Sequence, residues 1–334
     1  MKQAFTILSF LLAMNGFAQD STMNQLTKDF GSKGGSNKMP VKVFDSEKLI
    51  NANTTELIGK GKMDFRVIHN FYDAGGAAGG LKNFFGLDNA ADIKIGFQVG
   101  LGKKLDGIFS RVRGGENYHN SFSRVQKILE LGLKYKLLEQ MENDPSHPLS
   151  VALFANTAIA TMSKPTFSNA SLADSAETNF QNLSERMSQV AQLIVAHKAG
   201  KVSLQISATY VHRNRVILGD DKSIFALGGA VRVPLSKNLA FIVDYFHPFH
   251  SQSAKDFFQK PGSTVHPVIK FHDPLGIGFE ILTAGHVFHL NFTNAVEILE
   301  NRMIPRTVTN WGDGQFRWGF TISRTFVLWR EKNK

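Results

Sequence analysis

Asp92-Ile93-Lys94-Ile95-Gly96-Phe97-Gln98-Val99-Gly100-Leu101 alternates without a slip, with Ile, Ile, Phe, Val and Leu on one face and Asp, Lys, Gly, Gln and Gly on the other. A period of two with one wholly apolar face marks a β-strand. The pattern recurs over 202–210, where Val202, Leu204, Ile206, Ala208 and Tyr210 oppose Ser203, Gln205, Ser207 and Thr209. It recurs again over 315–323, where Phe316, Trp318, Phe320 and Ile322 oppose Gln315, Arg317, Gly319, Thr321 and Ser323. Extending the same reading along the chain predicts strands near 57–71, 89–101, 105–113, 123–138, 149–162, 186–197, 201–212, 223–234, 238–247, 275–283, 286–294 and 314–328.

That is about twelve strands, an even number of the kind bacterial membrane barrels use, and most are as long as a tilted strand needs to cross the hydrocarbon layer, roughly 9 to 11 residues. The connections agree. Links 102–104, 198–200, 235–238 and 283–286 are tight turns, and they alternate with long links at 72–88, 114–122, 163–185, 213–222, 248–274 and 295–313. The link 139–148 is longer than a tight turn, and its Asn143-Asp144-Pro145 reads as a turn on the short side. Short periplasmic turns alternating with long extracellular loops are the pattern of an all-β, transmembrane, antiparallel up-and-down β-barrel.

The start of the chain reads as a secretory signal over 1–18, with Lys2 ahead of an apolar run and Gly16-Phe17-Ala18 at the cleavage position. Residues 19–55 are polar, include Gly31-Ser32-Lys33-Gly34-Gly35-Ser36, and read as a periplasmic N-terminal extension; residues 56–330 form the barrel. The chain has 0 Cys, which excludes a lipid-modified cysteine, disulfides and thiolate metal sites. Mean hydropathy is −0.14. That value is neutral evidence, because a barrel wall buries only alternate residues in lipid. The 28 Phe and 29 Gly suit a lipid-facing wall with crowded or bent strands. The expected location is the outer membrane, and the expected form a monomer inserted by the barrel-insertion machinery. The formal charge of +10 suits an anionic partner. In an exported chain that partner is outer-membrane lipid and the phosphate layer of lipopolysaccharide, and no nucleic acid.

Two blocks resemble an uncharacterised β-barrel family of Bacteroidota. One is Asn83-Phe84-Phe85-Gly86-Leu87-Asp88-Asn89-Ala90-Ala91-Asp92-Ile93; the other is Thr283-Ala284-Gly285-His286-Val287-Phe288-His289-Leu290-Asn291-Phe292-Thr293-Asn294, followed by Trp311-Gly312-Asp313-Gly314 and Gly319-Phe320-Thr321-Ile322-Ser323-Arg324. The resemblance implies the barrel and the membrane, and brings neither catalytic residues nor a substrate. The terminal Gly319, Phe320, Ile322 and Phe326 look like the signal read at barrel insertion, although Trp329-Arg330-Glu331-Lys332-Asn333-Lys334 runs past it.

If the apolar faces meet lipid, the charged side chains of the opposite faces line the lumen: Asp64, Arg66, Asp92, Lys94, Glu130, Lys134, Arg232, Asp244, Glu280 and Arg317. Five acidic and five basic groups favour a self-paired network that narrows the channel over the one-sign ring of a selective pore. The expected function is therefore a non-catalytic barrel, serving as a narrow solute passage or as a surface or structural component, without cofactor. A second reading is a metal- or ligand-binding loop built from His247, His250, His266 and His272, though their spacing matches no zinc pattern. A third is a barrel enzyme acting on lipid: His119-Asn120-Ser121 holds the residue types of a barrel phospholipase, but adjacency in sequence does not make a triad. No G-x-S-x-G or H-E-x-x-H occurs, and the Gly75–Gly80 tract lacks the strand-to-helix setting of a phosphate loop.

Overall fold

A computed structural model of the protein describes residues 39–114, 125–166, 168–260 and 268–329. Among them are twelve strands: β1 (Lys62–Asp73), β2 (Ala90–Gly100), β3 (Leu105–Gly114), β4 (Lys127–Leu138), β5 (Ser150–Ala160), β6 (Met187–Ala199), β7 (Val202–Arg213), β8 (Ser223–Pro234), β9 (Leu239–Pro248), β10 (Leu275–Leu282), β11 (Val287–Thr293) and β12 (Arg317–Val327). Each pairs antiparallel with its neighbours in sequence, and β1 pairs with β12 to close the barrel. Among the described residues no helix is long and apolar enough to cross a membrane. The strands fall within a few residues of the alternating segments, with the largest difference at the start. Residues 57–61 are not strand, because Gly59 and Gly61 take φ of 85° and 77° and turn the chain out of the barrel interior. Gly100 permits that turn, since a Cβ there would stand 1.9 Å from the Gly59 carbonyl oxygen.

The outer wall is apolar. Ile95, Phe109, Leu131, Leu193, Ile206, Phe225, Leu227, Phe279 and Leu290 all point away from the interior. The inner wall is of two kinds. On β1–β4, β7 and β10–β12 it carries mostly charged and polar side chains, whereas on β5, β6, β8 and β9 Phe154, Val190, Ile194, Ile224, Ala226, Ala230, Ile242 and Phe246 face inward and are buried. The cause lies in sequence runs such as Ile224-Phe225-Ala226-Leu227 and Ala240-Phe241-Ile242-Val243, which are apolar on both faces. Such strands need a dry partner on each side.

Residues 40–60 supply that partner. They do not form an extension outside the barrel, as the polar composition of 19–55 suggests; from Pro40 onward the chain lies inside it. Val43, Phe44, Leu49, Ile50 and Ala52 pack into one cluster with Phe154, Ile194, Ile242 and Phe246 of the wall and with Met303 and Ile304 of the β11–β12 link. This strap passes in beside the β4–β5 turn, where Pro40 bridges Met141, and folds back on itself with Lys48 bridging Asn53. It leaves beside the β2–β3 turn, where Lys60 meets Gly100. Both passages are at the short-turn end. From the long-loop end the helix Glu300–Arg306 descends into the barrel, with Glu300 to Pro305 buried. Residues 1–38, including the signal-like stretch, lie outside the described residues.

Two substitutions separate the walls. Ile206→Arg, on the outer wall and 67% exposed, costs about 2–4 kcal/mol of folding free energy in vesicles if it sits at mid-membrane. Phe44→Ala, 1% exposed inside the barrel, costs about 3–5 kcal/mol through the cavity it leaves. Reversible urea unfolding in lipid measures both, and a silent Phe44→Ala would show that the strap is not packed.

Candidate functional site

The site is the occupied interior, where the wall charges meet the strap. On β9 the Asp244 carboxylate accepts from the backbone N–H groups of Asn51 (2.7 Å) and Ala52 (3.0 Å) and from the Asn51 side-chain amide (2.9 Å). Asp106 on β3 accepts from the Ile58 N–H at 2.8 Å. Lys134 on β4 donates to the Glu47 carbonyl at 2.8 Å and to the Glu56 carbonyl at 3.4 Å. Ser203 donates to the Val43 carbonyl and Gln205 to the Asn53 carbonyl. The wall thus supplies the hydrogen bonds that an irregular buried backbone cannot make internally.

Strap side chains pair with wall charges of opposite sign. Arg66 lies 2.6 Å from Glu47, Arg232 lies 2.5 Å from Asp45, and Lys136 lies 3.6 Å from Glu56. At the tip of the strap Lys48 pairs with Glu300 of the descending helix, and the Asn53 amide donates to the same carboxylate at 3.1 Å. The two inserts meet there. Gly276 on β10 makes room for the tip: a Cβ would stand 2.7 Å from Asp244 Oδ1 and 2.8 Å from both Asn51 Nδ2 and Ile50 Cγ2.

The ten charged residues of the sequence reading all stand on the inner wall, but as members of a filled interior. Arg66 also bonds Asp64 (3.1 Å), Lys94 bonds Glu130 (2.6 Å), Arg232 bonds Glu280 (2.6 Å) and Arg317 bonds Asp73 (2.8 Å). Asp92 accepts from the Ile298 N–H at 2.9 Å, in the link that carries the descending helix. Between strap and wall, beside Asp64, Arg66, Lys94 and Glu130, remains a cavity of about 30 Å³, room for about one water. Composition could not show that Asp45, Glu47, Lys48, Glu56, Lys136 and His289 belong to the same network. One signal was the pair of apolar steps Val43-Phe44 and Leu49-Ile50 inside a polar segment.

At the opposite end ion pairs tie the long loops. Arg302 and Arg306 both bind Glu177, and Arg213 binds Asp220. Of the candidate histidines, the structure does not bring His247, His250 and His272 together as a metal site. His247 sits at the outer rim of β9 and bonds Asp273 at 2.9 Å. His250 is buried, stacks on Phe271 at 3.9 Å, and has Asp221 4.0 Å away. His272 hands its backbone N–H to Thr307. His266 and the His119-Asn120-Ser121 stretch lie outside the described residues. Among the described residues no three His, Asp or Glu side chains cluster as metal ligands.

An apolar outer wall closed around a filled, ion-paired interior defines a membrane-bound β-barrel. Residues 44–326 match the family described as "Membrane bound beta barrel domain (DUF5777)", and the chain belongs to that family. The match begins at Phe44, so most of the strap, residues 44–60, lies within the family's domain. Among solved structures, the KdgM porin is similar with a TM-score of 0.43 and 6% identity, over 79% of this chain and 99% of that one. An outer membrane channel from Pseudomonas putida F1 gives 0.40 and 11% over 81% and 98%. LpxR from Salmonella typhimurium gives 0.36 and 11% over 79% and 99%. No curated protein matches the sequence.

Two measurements probe the site. Gly276→Val drives side-chain carbon into the strap tip, so limited proteolysis should cut residues 40–60 in the variant and spare them in the parent; equal protection would contradict the packing. In the β9–β10 loop, burial pushes the His250 imidazole down to about 4, outweighing the upward pull of Asp220 and Asp221. A histidine lowered on folding stabilises the loop while it stays neutral. That contribution is complete above the ordinary value of 6.5 and is lost as pH falls toward 4. Protease cleavage of the loop should therefore rise over that window, and His250→Phe should flatten the rise.

Proposed function

We propose that the protein is an outer-membrane β-barrel, exported through residues 1–18, that works without catalysis as a closed surface or structural component. One observation carries the reading: strap and descending helix meet at Lys48 and Glu300, and the strap packs into one apolar cluster with the wall. The apolar outer wall and the alternation of short turns with long loops support the outer membrane as the setting. The solute-passage version is the weaker one. Opening a path means withdrawing the strap, which would turn Ile194, Ile242 and Phe246 toward water and leave Asp244 without its backbone partners. A buried charge stripped of its partner costs about 3–5 kcal/mol. The metal-loop version has no cluster of three His, Asp or Glu side chains among the described residues to support it, and the His119-Asn120-Ser121 stretch of the lipid-enzyme version lies outside them.

Planar-bilayer recording tests the proposal. The intact chain should give no conductance steps, whereas a chain lacking residues 40–58 should conduct in steady steps. Lys48→Ala combined with Glu300→Ala, which keeps the strap but cuts its link to the helix, should give brief openings. Steady porin-like steps from the intact chain would overturn the reading.

A further inference from the structure

The outer wall of β3 and β4 is apolar until its last rows. From the short-turn end upward, β3 presents Leu105, Gly107, Phe109, Arg111 and Arg113, while β4 presents Tyr135, Leu133, Leu131, Leu129 and Lys127. Arg111, Arg113 and Lys127 are exposed on the outside, at the long-loop end. Arg113 and Lys127 are direct cross-strand partners. Like charges in that relation repel and destabilise a sheet unless something neutralises them. Arg111 reaches across β4 and donates to the Thr161 hydroxyl at 2.5 Å, which carries its guanidinium beside Lys127, whose carbonyl accepts from the Thr161 N–H. No carboxylate stands among the outward side chains of β2–β5.

Directly below the three cations the wall is hollow. A groove of about 710 Å³ runs down the outer face, bounded by Phe97, Phe109, Leu131 and Leu133, with Gly107 and Ala155 as its floor. Thr157 and Gln189 stand side by side in it, one row below Arg111. Cations above, two polar side chains at the next level and an apolar trough beneath match, in order, a phosphorylated headgroup, its amide and hydroxyl linkages, and acyl chains. Arginine suits the first position because its fork binds two phosphate oxygens at once.

We infer that this face binds one molecule of a phosphorylated glycolipid of the outer leaflet, with phosphate on Arg111, Arg113 and Lys127 and acyl chains in the groove floored by Gly107 and Ala155. The inference rests on the outer-membrane setting proposed above and not on whether the lumen conducts. The long-loop end selects the source: in that setting it faces the leaflet built from phosphorylated glycolipid rather than from glycerophospholipid.

Native mass spectrometry of the full chain in detergent, titrated with diphosphorylated lipid A, tests it. One lipid A should stay bound, and Arg111→Gln/Arg113→Gln/Lys127→Gln should weaken binding on the order of tenfold or more. Lys103→Gln/Lys104→Gln, at the opposite end, should leave binding unchanged. Ala155→Leu, which fills the groove without touching charge, should weaken lipid A but not inorganic pyrophosphate. Equal binding of dephosphorylated lipid A would overturn the inference, as would equal binding of phosphatidylglycerol or undiminished binding by the triple variant. Because Arg111, Arg113, Lys127 and Ala155 face outward, and Lys103 and Lys104 lie in a turn, folding is checked in each variant by retained heat-modifiable migration. A conductance result that refutes the closed-barrel reading would leave these binding outcomes unaffected.

Discussion

A wall that is apolar on both faces cannot line water. That constraint, set by runs on β5, β6, β8 and β9, governs the interior of the molecule. Phe154, Ile194, Ile242 and Phe246 point inward from strands whose other faces are equally apolar, so the barrel is stable only when the space they face is filled with something dry. The strap fills it, with Val43, Phe44, Leu49 and Ile50 as the matching surface. Its backbone then has to be satisfied, and this is the work of Asp244, Asp106, Lys134, Ser203 and Gln205. The inner wall thus does two things at once: its apolar side chains pack the strap and its polar ones, on β3, β4, β7 and β9, satisfy the strap's backbone.

The charge balance takes on a different meaning in this light. Equal numbers of acidic and basic groups on the inner wall suggest mutual pairing, and part of the network is of that kind, as in Lys94 with Glu130 and Arg317 with Asp73. Arg66 and Arg232 each hold one wall carboxylate and one strap carboxylate. They tie the two parts of the structure together. A bridge of this kind contributes to which arrangement forms at least as much as to how stable it is, because losing either partner leaves a charge buried.

The barrel was legible in the sequence because alternation and loop parity are local, and each strand such as 92–101 announces itself alone. The filling was not. A strap has no period: residues 40–60 read as polar and irregular, and their burial depends on partners up to 252 positions away, as between Lys48 and Glu300. Yet the trace existed in the two-faced runs 224–227 and 240–243, which could not be explained by lipid on one side and water on the other. The histidines misled for the opposite reason. Closeness in sequence at 247 and 250 suggested a shared ligand, whereas the end of β9 sends His247 to the rim and His250 into a stack on Phe271.

The strap passes in beside Met141 and out beside Gly100, and both are at the same mouth of the barrel. Topologically it is a finger pushed into a ring, never a thread drawn through one. The seam between β1 and β12 can therefore be sewn before or after the finger is in place, and no step of assembly obliges the chain to pass an end through a closed hoop. The helix from the other mouth is likewise a loop tethered at both its ends. The molecule is corked from two sides and knotted from neither.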